Sequence, residues 1–125
     1  MSIEQKSILG YGCDPNRAKY VSENWGPKLG VTIDVVTSEE DLIEIIQKEN
    51  KKYDLFFLAP GMCSLVKQGK RDLKKIKQLI DQYQSQAMFL NIEDVSLALP
   101  MLSSALNGEP LEGFAKNSQE WPWID

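Results

Sequence analysis

Short apolar runs alternate along this chain with longer stretches in which apolar residues return every three or four positions, and the alternation persists from Ser7 to Asn107. The first pattern suits buried strands and the second suits amphipathic helices. Ser7 to Gly12 is short, apolar and ends in glycine, which predicts a first strand running into a tight turn. Asp14 then Pro15 is a helix start, because the carboxylate accepts orphan N–H groups and proline in the first turn gives up no donor the helix would use. Ala18, Val21 and Trp25 share a face of that helix, and Gly26-Pro27 predicts its end near Trp25. Val31 to Val36, β-branched and partly alternating, predicts the second strand.

Thr37 with Glu40 has capping-box spacing, and Glu39, Glu40 and Asp41 face the positive end of the next helix dipole. Leu42, Ile43, Ile45 and Ile46 supply that helix's buried face. Leu55 to Ala59 is apolar without alternation, as a central strand covered on both faces should be. Helical spacing continues from Leu65 to Tyr83, and Ala87 to Ile92 predicts a fourth strand. Pro100 places the last helix from Pro100 to Asn107, ended by Gly108.

Strand and helix thus alternate four times. Right-handed crossovers turn that order into an α/β domain, a single open parallel four-stranded sheet of order 2-1-3-4 with helices on both faces. The domain is expected over residues 1–108, and the tail 109–125, which carries Phe114, Trp121 and Trp123, is expected to pack on it or on a partner. A chain of 125 residues with 42% hydrophobic content can fill one core without a disulfide or metal framework.

Charge narrows the function. A net charge of −4 repels a nucleic-acid backbone and an anionic membrane face, so nucleic-acid binding is not expected, and no apolar run approaches the ~20 residues of a spanning helix, so neither is direct membrane insertion. With no secretion-type leader in the opening residues and only two cysteines, Cys13 and Cys63, the expected location is cytoplasmic. The absence of histidine removes the common zinc and histidine-base chemistries, and no cofactor or metal is called for.

In open parallel sheets ligands bind beyond the carboxyl ends of the strands, where strand order reverses, here between the first and third strands. Two loops meet there: Tyr11 to Arg17, and Ala59 to Ser64 with Gly61, Met62, Cys63 and Ser64. Cys13 precedes a helix N-terminus, which lowers a thiol's pKa and favours bound anions; Asn16 and Arg17 are the phosphate-binding candidates beside it. The plainer reading makes Cys13 a small turn residue and Cys63 buried filler. A redox pair between them requires Cα atoms within about 7 Å. The basic outer face of the third helix reads as a solvated surface or as a docking patch built on Lys70, Lys74 and Lys77. Gly10 and Gly12 make only part of a dinucleotide fingerprint, since the third glycine is missing.

A cysteine-bearing loop after a short first strand, followed by Tyr53-Asp54-Leu55-Phe56-Phe57-Leu58-Ala59-Pro60 with Met62 and Ser64 beyond, resembles the enzyme IIB components of lactose and cellobiose phosphotransferase systems. The resemblance implies a phosphocarrier: Cys13 takes a phosphoryl group from a IIA-type partner and passes it to a sugar bound by a membrane IIC permease. The family's phosphate loop is rich in glycine, serine and threonine, whereas this chain reads Asp14-Pro15-Asn16-Arg17. The alternative is therefore a non-catalytic IIB-like or receiver-like interaction module that uses the lysine-rich helix or the Trp121-Pro122-Trp123 tail. Receiver chemistry itself lacks its aspartate, because Ala59-Pro60 stands at the end of the third strand.

Overall fold

The structure, a computed structural model, describes residues 6–12, 14–48, 52–59, 73–84, 87–92, 94–109 and 114–115. Strands β1 (Ser7–Tyr11), β2 (Thr32–Val36), β3 (Leu55–Leu58) and β4 (Met88–Asn91) alternate with helices α1 (Pro15–Leu29), α2 (Glu39–Ile46), α3 (Leu73–Tyr83) and α4 (Ala98–Leu106). The four strands are parallel in the order β2-β1-β3-β4, as the alternation predicts. A short β5 (Phe114–Ala115) adds an antiparallel fifth strand beside β4. It lies in the tail, where a two-residue strand leaves too little periodicity to read.

Two apolar layers sandwich the sheet. On one face Leu9, Tyr11, Phe56, Leu58 and Phe89 meet Leu42 and Ile46 of α2 and Ile76 and Ile80 of α3. On the other, Ile8, Ile33, Leu55, Phe57 and Leu90 meet Trp25 of α1 and Ala98, Leu102 and Ala105 of α4. β3 alternates between the two layers and all four of its residues are buried, which accounts for its unbroken apolar composition. Gly10 pairs with Phe57 across the sheet, and a Cβ on it would lie 2.3 Å from the Phe57 ring. This glycine makes room for an aromatic side chain and does not open a phosphate loop.

Three helix boundaries differ from the sequence reading. Helix α1 runs through Gly26-Pro27 to Leu29 and stops at Gly30, whose φ of 69° is left-handed and whose N–H donates to the Gly26 carbonyl. Gly26 packs there against the backbone of the next strand, since a Cβ on it would lie 2.9 Å from the Val31 carbonyl oxygen. Pro27 removes one helical hydrogen bond in the last turn, and the burial of Trp25 and Leu29 around it holds the turn. For α2 the cap is Ser38, whose hydroxyl accepts the Asp41 N–H at 3.1 Å, one residue later than the Thr37–Glu40 spacing predicts.

Helix α4 begins at Ala98, earlier than Pro100, and follows a 3₁₀ turn over Val95–Leu97. Pro100 is its third residue, where an N–H has no partner within the helix. Asp94 caps the 3₁₀ turn by accepting both the Ser96 N–H at 2.9 Å and its hydroxyl at 2.8 Å, and these bonds hold the Asp94 carboxyl below its usual range. The stretch 65–72, expected to open the third helix, lies outside the described residues. Among the described residues no helix is long and apolar enough to cross a membrane.

Candidate functional site

The strands continue to pair for one residue past their carboxyl ends. Gly12 donates its N–H to Val36 O, Ala59 to Tyr11 O and Ile92 to Leu58 O, each at 3.0 Å. These bonds hold the exits of β1, β3 and β4 side by side at the point where strand order reverses.

Helix α1 starts at this edge. Asp14 is extended, with φ −123° and ψ 111°, and its Oδ1 accepts the Asn16 N–H at 2.9 Å. Its carbonyl accepts the Ala18 N–H at 3.0 Å. The Arg17 guanidinium lies 3.9 Å from Asp14 Oδ2, and the two side chains are 69% and 47% exposed. Such a pair contributes little to stability, but it leaves the two charges facing one another. Pro15 has no N–H, so the first turn has few donors left for an anion, and the nearest carboxylate repels one.

Beneath this turn lies a cavity of about 420 Å³ on the α1 and α4 face of the sheet. Val21, Trp25, Val35, Phe57 and Ile92 form its apolar walls. Gly12, Ala18 and Ala59 also line it, and their small size is what leaves the space. A Cβ on Gly12 would meet Ala59 Cβ at 3.4 Å, an ordinary contact, so no packing constraint demands glycine there. Asp14, Arg17 and Tyr20 stand exposed at the rim.

Of the residues singled out from the sequence, Asn16 and Arg17 both sit on the exposed first turn of α1. Lys74 is exposed and Lys77 half-buried on α3, in the layer on the other side of the sheet from the cavity. Their neighbour Lys75 pairs with Glu39 of α2 at 3.8 Å. Cys13, Gly61, Met62, Cys63, Ser64 and Lys70 lie outside the described residues. Among the described residues no group of three or more histidine, cysteine, aspartate or glutamate side chains could hold a metal ion.

The sequence reading missed two features. The cavity draws its lining from α1, from all four parallel strands or their exits, and so has no spacing signature. The second feature is a polar cluster at the opposite, amino edge. Tyr53 is 1% exposed; its hydroxyl donates to Asp34 Oδ2 at 2.7 Å and its N–H to Gln84 Oε1 at 2.9 Å. Burial, then the hydrogen bond to Asp34 and its negative charge, push the Tyr53 phenol well above its ordinary value of 10.0. Gln84, also 1% exposed, donates in turn to the Ile46 carbonyl at the end of α2. Asp54 ties β3 to β1, accepting the Ser7 N–H at 2.9 Å on its carboxylate.

Comparison of the chain with family models, with curated proteins and with solved structures gives no match. The class the geometry defines is an open parallel α/β domain with a cavity at the carboxyl edge of its sheet.

Proposed function

We propose that this chain is a non-catalytic binding module with the layout of a IIB component, working at the carboxyl edge of its sheet in the cytoplasm without carrying a phosphoryl group. One observation carries the reading: a carboxylate already stands at the entrance of α1 and few backbone donors are left there. Pro15 supplies no N–H, the Asn16 N–H is held by Asp14 Oδ1, and the same carboxylate faces Arg17. A phosphate cradle needs free backbone donors and a site without a fixed negative charge. The apolar cavity directly below supports binding in place of transfer.

A phosphocarrier acting through Cys13 is the second reading. It is favoured by the sheet order and by the placement of Gly12 and Asp14, the chain neighbours of Cys13, between the end of β1 and the start of α1. In that reading a IIA-type donor phosphorylates Cys13, Arg17 and Asn16 steady the group, and a IIC permease brings the sugar.

One experiment separates the two. The full chain is incubated with phosphoenolpyruvate, the general phosphotransferase proteins and a lactose- or cellobiose-class IIA protein, and its intact mass is measured. The module predicts an unchanged mass. A gain of about 80 Da, the mass of one phosphoryl group, that disappears in Cys13→Ser establishes the carrier instead.

A further inference from the structure

The geometry points to a ligand class for the cavity: a small, uncharged, largely aromatic molecule, received by a site that Trp25 and Phe57 help to line. This inference rests on the binding-module reading and gives that module its ligand.

Size is the first argument. A volume of about 420 Å³ falls within the range of roughly 300–1,000 Å³ usual for small-molecule sites. It is far larger than the gaps between packed side chains in a protein core. Wall chemistry is the second. Trp25 and Phe57 both line the cavity, and at 7% and 2% exposed each is packed in the core and turns only an edge to it. Lining atoms that face such a space lose dispersion contacts, and a flat apolar occupant restores them.

Charge at the rim is the third argument, and it selects neutrality. The only charged side chains among the described lining residues are Asp14 and Arg17, and they face each other across 3.9 Å. An anion would meet the Asp14 carboxylate and a cation the Arg17 guanidinium. Either would lose part of its hydration with no uncompensated charge among the described lining residues to replace it. A neutral ring system loses little on entering. The exposed Tyr20 hydroxyl at the mouth, with the Asp14 and Arg17 side chains, can serve one polar substituent on its outer edge.

The test titrates the full chain with N-phenyl-1-naphthylamine, a neutral probe that fluoresces in apolar surroundings, and in parallel with its anionic relative 1-anilinonaphthalene-8-sulfonate. Saturable one-to-one binding of the neutral probe, at least about tenfold tighter than that of the anion, is expected. Ala18→Leu and Ala59→Leu each put methyl groups into the cavity. Each should weaken the neutral probe by about tenfold or more while the far-UV circular dichroism and the unfolding midpoint stay native-like. Two variants on different elements keep the test open if one of them folds poorly. Absent binding, binding insensitive to both variants, or an anion bound as tightly as the neutral probe overturns the ligand class. The failures are distinguishable: the module reading falls on a Cys13-dependent mass gain, and the ligand class falls on the probe titration alone.

Discussion

Along the amino edge of the sheet, Tyr53, Asp54 and Gln84 knit the starts of strands to the ends of helices, whereas along the carboxyl edge Gly12, Ala18 and Ala59 withhold side chains and a cavity takes their place. Lysines complete the first edge: Lys6 donates to the Leu106 carbonyl and Lys52 to the Tyr83 carbonyl, each at 3.0 Å, placing cations at the C-terminal ends of α4 and α3. The second edge carries local caps, Asp14 on α1, Ser38 on α2 and Asp94 on the 3₁₀ turn. One edge is therefore tied together by buried side-chain hydrogen bonds, and the other borders the cavity.

The contrast also re-reads the family resemblance. Tyr53 and Asp54 head the segment that resembles the IIB third strand, yet both lie at the amino edge, away from the cavity, fastening β3 to Asp34, Gln84 and Ser7. Their chemistry is an argument about fold.

Removing the centre of the amino-edge cluster should break the contrast most sharply. Gln84→Ala takes away the acceptor of the Tyr53 N–H and the donor to Ile46 O, both buried, and is expected to cost about 2–3 kcal/mol in urea unfolding. A loss below about 0.5 kcal/mol would mean that the edge is held by apolar packing alone.

The same enlargement made in two places sharpens the comparison further. Ala98→Leu, at a fully buried position packed between α4 and the sheet, should overpack and cost about 1–3 kcal/mol. Ala59→Leu has the cavity to enter and should leave stability unchanged or raise it by up to about 1 kcal/mol. Equal losses from the two variants in thermal or urea unfolding would show the cavity to be closed in solution.

Among the destabilising changes the mildest is Tyr53→Phe, about 1 kcal/mol at neutral pH from the lost bond to Asp34. Its signature lies in alkali. The folded-state pKa of Tyr53 is raised, so the stabilisation from its neutral hydroxyl is fully present below the unfolded value of 10.0 and is lost as pH rises towards the folded value. Above about pH 10 this one proton steepens the fall in stability by about 1.4 kcal/mol per pH unit. The alkaline slope of Tyr53→Phe should be shallower by that amount, and identical slopes for the two proteins would place the phenol in water.

How much was legible follows from the range of the forces involved. The β1–β4 alternation, the Asp14 cap and the buried character of β3 come from periodicity and nearest neighbours, and all are readable from the chain alone. The early ending expected for α1 at Gly26-Pro27 was wrong for a tertiary reason. Intrinsic propensity argues for a stop, but close packing of Gly26 on the Val31 backbone and burial of Trp25 outweigh the bond that Pro27 removes. Asn16 and Arg17 were legible as residues at a helix entrance and Asp14 as its cap, while which N–H the carboxylate takes, that of Asn16, depended on a side-chain rotamer.

By itself the sequence determined the layers of this protein, because strand and helix period, caps and right-handed crossovers act over short stretches of chain. Only the tertiary structure decided where those layers leave space. A cavity formed by Gly12, Ala18, Val35, Phe57 and Ile92 exists through the juxtaposition of residues distant along the chain, and so does the reach of Tyr53 across the sheet to Asp34. Emptiness has no local signal, since it is set by the summed volumes of side chains that meet only after the sheet has formed.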